Sequence, residues 1–287
     1  MYQFTETLSA ALEAGNPQRV LLEFSGKTFT NEDIAISNGV ELTADFNSET
    51  NLTIGMCPSA NLRFDLLNDQ YQLSDFEFGT FKAWLGARID SGTPTGKTVE
   101  FHEGGKTVTY EFAPLGTFIA TRPDVVRKTI ISVDANDQMI LFDEDMPTAS
   151  ALGITYPITL AALAKKLCDY VGVSLKTQSF LNANISVSSE PEQFETATMR
   201  EVLGWIAEAA CSNARFTRDG LLEFAWFTVI DKEYDETNYS DFMPSWYETQ
   251  AINGLHIRNA DSTSEISLGQ NSNVYMIQDN PFLRQPD

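Results

Sequence analysis

The chain has 287 residues, 43% of them hydrophobic, with 40 Asp and Glu against 19 Lys and Arg, a formal net charge of −21. That length bounds two domains and a fragment of a third, and that apolar content supplies globular cores. The charge excludes a protein that grips nucleic acid through its phosphates, because such a grip needs Lys and Arg to displace counterions.

"TETLSAALEAG" predicts a short helix that presents Leu8, Ala11 and Leu12 on one face and stops at Gly15. "RVLLEF" predicts a first strand, and the pattern from Ile34 to Tyr71 is strand-like with polar breaks. One break is "GMCPS": Leu52 and Ile54 alternate before it, and Leu62, Phe64 and Leu66 alternate after it. "FEFGTFKAWLGARID" adds Phe76, Phe78, Phe81 and Trp84 for a sheet or barrel face. "TVEFHEGGKTVTYEF" predicts a hairpin turning at Gly104-Gly105, with Val99 and Phe101 before it and Val108, Tyr110 and Phe112 after it at period two. "PLGTFIATRPD" closes this β-rich block, and Pro123 marks a boundary.

After about residue 126 the pattern changes. "KTIISVDANDQMILFDEDM" predicts a strand and a short turn. "YPITLAALAKKLCDYVG" predicts a helix capped by Thr159, striped by Leu160, Leu163, Leu167 and Tyr170, and stopped at Gly172. "TMREVLGWIAEAACS" predicts a second helix. Thr198 and Glu201 stand at capping-box spacing, and Val202, Leu203, Trp205, Ile206 and Ala209 form its buried stripe. "ARFTRDGLLEFAWF" is a hairpin through Asp219-Gly220, "DKEYDETNYSDFMPSWYE" an acidic surface loop, and "NGLHIRNA" and "NVYMIQDNPFL" begin another strand-rich region. The expected units are therefore 1–125, a β-barrel-like domain; 126–248, an α/β domain; and 249–287, the start of a further β domain or return strands. The fold class is α+β and β-rich.

Several stretches imitate chemical motifs. Gly92 to Thr98, "GTPTGKT", is one residue short of a phosphate-binding loop and runs into a strand where that loop needs a helix. "DANDQMILFDED" opens like a calcium loop with Asp134 and Asn136, but has Met139 where glycine is needed and Asp145 where a bidentate glutamate is needed. Asp137 or Asp134 instead fits a cap on the following turn. The acidic clusters Asp143, Glu144, Asp145 and Asp231, Glu233, Asp235, Glu236 read as solvated loops rather than as a glycosidase pair set across a cleft. Three scattered cysteines, Cys57, Cys168 and Cys211, form no disulfide framework, and with only His102 and His256 they suggest no zinc centre. Cys57 as a nucleophile would need one of those histidines as its base. A buried structural thiol beside Pro58, which cannot donate to a sheet ladder, is the preferred reading, so the break is a joint and not an active site. No catalytic, cofactor-binding or metal-binding residue is assigned. No run is long and apolar enough to span a bilayer, and the acidic start "MYQFTETLSAALEAG" is not a secretion signal, so synthesis in a cytoplasm is expected.

Four stretches together resemble the hub family of phage tail tips: "EDIAISNGVELTADFNSETNLTIGMCPSANLRFDLLN"; "ISVDANDQMILFDEDM"; "YPITLAALAKKLCDYVGVSL" with "TMREVLGWIAEAACSNARFTRDGLLEF"; and "VYMIQDNPFL". The resemblance spans nearly the whole chain through loose patterns of hydrophobes and turns. It implies a non-catalytic homotrimer in which each subunit supplies two barrel-like domains, an α/β domain lying between them. Such a ring would join a sixfold tail tube or distal ring to a threefold tip. The implied place is the virion tail tip of a phage or prophage. The implied partners are distal tail or tail-tube proteins, a tape-measure protein and tip or fibre proteins, with DNA only as cargo through the channel. The second barrel would need more strand than the residues after Pro281 provide, which implies that the family's C-terminal portion is missing. The rival readings are a cell-wall hydrolase module and a carbohydrate-binding adhesin, the latter with Trp226, Phe227, Trp246 and Tyr247 as its aromatic platform.

Overall fold

A computed structural model of the chain describes residues 3–35, 39–44, 53–67, 76, 78–121, 124–127, 129–226, 253–258, 265–270 and 274–283. The acidic cluster at 231–236, Pro123, Phe227, Trp246 and Tyr247 lie outside the described residues.

Helix α1 (Glu6–Glu13) starts at Thr5, whose hydroxyl accepts from the Leu8 amide at 3.2 Å. It buries Leu8 and Ala11 against Ala87 and Ala113. The first sheet contains β1 (Gln18–Phe24), β2 (Lys27–Thr30), β3 (Val40–Thr43), β4 (Asn61–Leu67), β5 (Thr80–Arg88), β6 (Lys97–Glu103), β7 (Lys106–Ala120), β8 (Asp124–Arg127) and β9 (Ile130–Asp137). Its order is β2-β1-β5-β7-β9-β4-β3, with β6 and β8 added beside β7 and β9. The β6–β7 hairpin pairs Phe101 with Val108 and turns through Gly104 and Gly105, at φ +56° and +78°. That is the left-handed pair a two-residue hairpin turn needs. One face of the sheet is packed by Leu22, Phe24, Leu62, Phe64, Phe81, Phe118 and Val133. Phe24 stacks on Phe81 at 4.5 Å, and Phe64 meets Phe81 edge-on at 5.2 Å.

The β-rich, mixed α+β character follows the sequence pattern. The sheet is not closed into a barrel. Its end strands β2 and β3 are four residues each, too short for a continuous closing ladder, and a single bridge, Ile34 to Leu66, links the segment after β2 to β4. The sheet also runs past residue 125, since β9 pairs with both β4 and β7.

Asp137 ends β9 and caps a 3-10 turn over Gln138–Phe142, which leads to α2 (Ala149–Leu152), β10 (Ile158–Thr159) and α3 (Leu160–Val171). Then come β11 (Ser174–Leu175), β12 (Ser186–Val187), α4 (Met199–Ala209), β13 (Asn213–Phe216) and β14 (Leu221–Ala225). Thr159 caps α3, Gly172 ends it, and Leu160, Leu163, Leu167 and Cys168 face Val202, Leu203 and Ile206 of α4 in one core. Tyr170, expected on the α3 stripe, is 53% exposed. It falls about 80° around the helix from Leu160, at the margin of the buried face. Trp205 likewise lies at the edge of its stripe and is half-buried, not enclosed. A third small sheet, in the order β16-β15-β17, combines β15 (Gly254–Arg258), β16 (Glu265–Gly269) and β17 (Val274–Gln278), with β15 and β17 parallel. No helix among the described residues is long and apolar enough to cross a membrane.

Candidate functional site

The first sheet, the helical block and the C-terminal sheet all meet on α4. Its start is fixed locally: the Thr198 hydroxyl accepts from the Glu201 amide at 3.2 Å, and the Glu201 carboxylate accepts from the Thr198 amide at 2.7 Å. The Asp143–Asp145 segment lies against this end. The Met199 amide donates to the Glu144 carbonyl, and Arg200 pairs with Asp143 at 2.6 Å. Those acids belong to the approach to the helix, not to a cleft.

The Ile54–Ser59 loop seats on the middle of α4. The Gly55 amide donates to the Ser212 carbonyl at 2.8 Å, the Ala214 amide to the Met56 carbonyl at 2.9 Å, and the Met56 amide to Asn213 Oδ1 at 3.0 Å. Gly55 has φ +82°, and a Cβ there would stand 2.9 Å from Glu208 Cβ. A Cβ on Gly204 would stand 2.9 Å from the Gly55 carbonyl oxygen. Both glycines are therefore demanded by close backbone approach. The loop leaves through Asp137, which accepts from the Ser59 hydroxyl at 2.8 Å and from the Ala60 and Met139 amides, each at 3.0 Å. Burial pushes the Asp137 carboxyl up, against those hydrogen bonds, which favour its ionised form.

Cys57 sits inside this joint. The residue keeps some exposed surface, but burial of its thiol pushes the pKa up to about 12, with the Arg200 charge acting the other way. Its S–H donates to the Arg200 carbonyl at 3.6 Å. His102 stands on β6 opposite Thr107 and His256 on β15 opposite Ser267, so the thiol's partner is a carbonyl, not an imidazole. A thiol held protonated is a poor nucleophile. A cleft of about 510 Å³ runs along the joint between the loop and Arg200, Glu201, Trp205 and Glu208.

The C-terminal sheet reaches the same place. The Ile54 amide donates to the Tyr275 hydroxyl at 3.3 Å. Asn280 Nδ2 donates to the Trp205 carbonyl and to Glu208 Oε2, both at 2.9 Å, while Asn280 Oδ1 accepts from the Phe282 amide at 2.9 Å. The Phe282 ring packs edge-on against Phe194 at 6.2 Å and Trp205 at 6.4 Å. Burial raises the Glu208 carboxyl, and Asn280 offsets part of that. Sequence reading did not find Asn213 or Tyr275 as partners of the loop, or Asn280 as a partner of α4. Asn280, a polar residue between strand and Pro-Phe, was the available signal.

The motif imitations resolve locally. In the Gly92–Thr98 loop, the Thr95 and Gly96 amides, which a phosphate would use, donate to Glu111 Oε1 at 3.0 and 2.6 Å. Lys97 pairs with Glu23 and lies 4.2 Å over the Trp84 ring. Asp134 and Asn136 accept from Asn61, and it is Asp137 that caps the turn. No group of three or more His, Cys, Asp or Glu side chains suited to a metal occurs among the described residues. A second cleft, of about 790 Å³, lies between the first sheet and the β13–β14 hairpin. On its hairpin side Glu223 is held by Lys176 at 2.5 Å and Arg215 at 3.0 Å. Burial alone would raise the Glu223 carboxyl, but these two cations together hold it below the ordinary range.

No protein-family model matches the chain, and no curated relative matches it. Solved structures do. The tail protein from Neisseria meningitidis MC58 superposes with a TM-score of 0.54 at 13% identity, over 92% of this chain and 72% of that one. The 43 kDa tail protein of prophage MuSo2 from Shewanella oneidensis superposes with a TM-score of 0.51 at 12% identity, over 91% of this chain and 72% of that one. At this identity the likeness speaks to architecture: the chain is similar in fold to these two tail proteins.

Proposed function

We propose that this chain is a structural protein of a phage or prophage tail, and within the tail a hub at its tip. The carrying observation is the fold likeness to two tail proteins over nine-tenths of the chain. The α4 joint agrees with a structural role. Its thiol is held protonated, its glycines serve backbone contact, and its acids bond amides and hydroxyls. The chain works by assembly rather than catalysis in this reading. Three copies form a ring that joins the sixfold tail tube or distal ring to a threefold tip, and DNA passes through it as cargo. At −21 per chain, a trimer gathers −63 formal charges, so apolar contacts and screening must offset self-repulsion. A negative channel wall would offer passing DNA few cations to bind. Electron-microscopic class averages of the purified chain, collected across a salt series, test this. A three-lobed ring that becomes more abundant from low to moderate salt is expected. An isolated globule at every salt and protein concentration would overturn self-assembly into a hub.

A further inference from the structure

The loop from the first sheet and the tail of the C-terminal sheet occupy one seat on α4. Glu208 touches both: its Cβ lies against Gly55, and its carboxylate accepts from Asn280. Trp205 does similar double service, lining the loop's cleft while its carbonyl accepts from Asn280 and its ring packs on Phe282. Tyr275, four residues before the tail, is bonded directly to Ile54 of the loop. The backbone turns sharply on either side: Asp279 has φ +62° and Cys211 φ +49°, left-handed conformations that are uncommon outside glycine, though more readily adopted by aspartate.

We propose that Asp279–Leu283 is a strap: seated on Trp205 and Glu208, it holds the Ile54–Ser59 loop against α4, and strap and loop release together. Displacement of the C-terminal sheet would then loosen the attachment of the first sheet to the helical block, through this seat and the Tyr275–Ile54 bond. The coupling runs through contacts that both segments share, so each must stabilise the other by the same factor. This device does not depend on the tail-tip reading.

Amide hydrogen exchange on the full-length chain tests it. The reporters are the amides of Gly55 and Ala214, whose bonds to Ser212 and Met56 hold the loop and which Asn280 does not touch. Asn280→Asp replaces the donor to Glu208 with a second carboxylate. Among the described residues, the ionisable groups around that spot are Glu208 itself, Tyr275, Cys211 and Asp279, with Cys57, Arg200 and Glu201 along the same cleft. At neutral pH the variant should exchange Gly55 and Ala214 at least about tenfold faster than wild type, because a charge-assisted bond is lost to repulsion. Measured against wild type at the same acidic pH, where the paired carboxyls share protons, the difference should shrink. Unchanged Gly55 and Ala214 rates beside faster exchange at 274–283 would overturn the strap. If Asn280→Asp does not fold, Phe282→Leu, which keeps an apolar side chain but loses the ring contacts, carries the same two outcomes.

Discussion

Gly204→Ala inverts the usual rule for a glycine inside a helix. By propensity alone the change should stabilise α4 by about 1 kcal/mol, since alanine loses less backbone freedom on folding. Here the new methyl would stand 2.9 Å from the Gly55 carbonyl oxygen and 3.9 Å from Cys57 Sγ. The first distance is shorter than a methyl carbon and a carbonyl oxygen tolerate. The obstacle is backbone, so a side chain cannot swing aside to relieve it. The loop must lift, which strains or breaks the Gly55–Ser212 and Ala214–Met56 bonds. At about 1 kcal/mol for each bond, with overpacking costing about 1–3 kcal/mol in general, the loss outweighs the gain. The net expectation is destabilisation of about 2–4 kcal/mol. Urea denaturation followed by circular dichroism reads this as a lower midpoint at unchanged slope. A midpoint that rises, as helix propensity alone demands, would refute the close approach of loop and helix.

Two other measurements probe different parts of the molecule. A disulfide reagent at mildly alkaline pH should label Cys211, which is exposed, in the folded protein, and should reach Cys57 and Cys168 only on unfolding, because burial pushes both thiols up to about 12; prompt labelling of all three would show that the α4 joint and the α3 core are open. Glu223 has a lowered carboxyl pKa, so its contribution is present above its unfolded pKa and lost as pH falls through its folded pKa; Glu223→Gln should lower thermal stability at neutral pH, with the gap to wild type closing in acid, and a gap that widens in acid would reverse the sign assigned to the Lys176–Glu223–Arg215 row.

What the sequence determined by itself was local and periodic. The capping pair Thr198–Glu201, the cap Thr159, the stop at Gly172 and the Gly104-Gly105 hairpin are decided within a few residues, by side chains that reach their own backbone or by glycines that permit a turn. The β-rich block followed by helices could be read from the change of period for the same reason. The reading of Gly55–Ser59 as a joint came from Gly, Cys and Pro chemistry. What it joins was decided by contacts that sequence spacing does not encode: Met56 with Asn213, Ile54 with Tyr275, Asn280 with Trp205 and Glu208. The open edge of the first sheet, the exposure of Tyr170 and the half-burial of Trp205 belong to that same class. Periodicity says that a residue faces something apolar. How far a sheet curls, and whether a residue at the margin of a helix stripe is covered, depends on which distant segment packs there, and only the tertiary structure decides that.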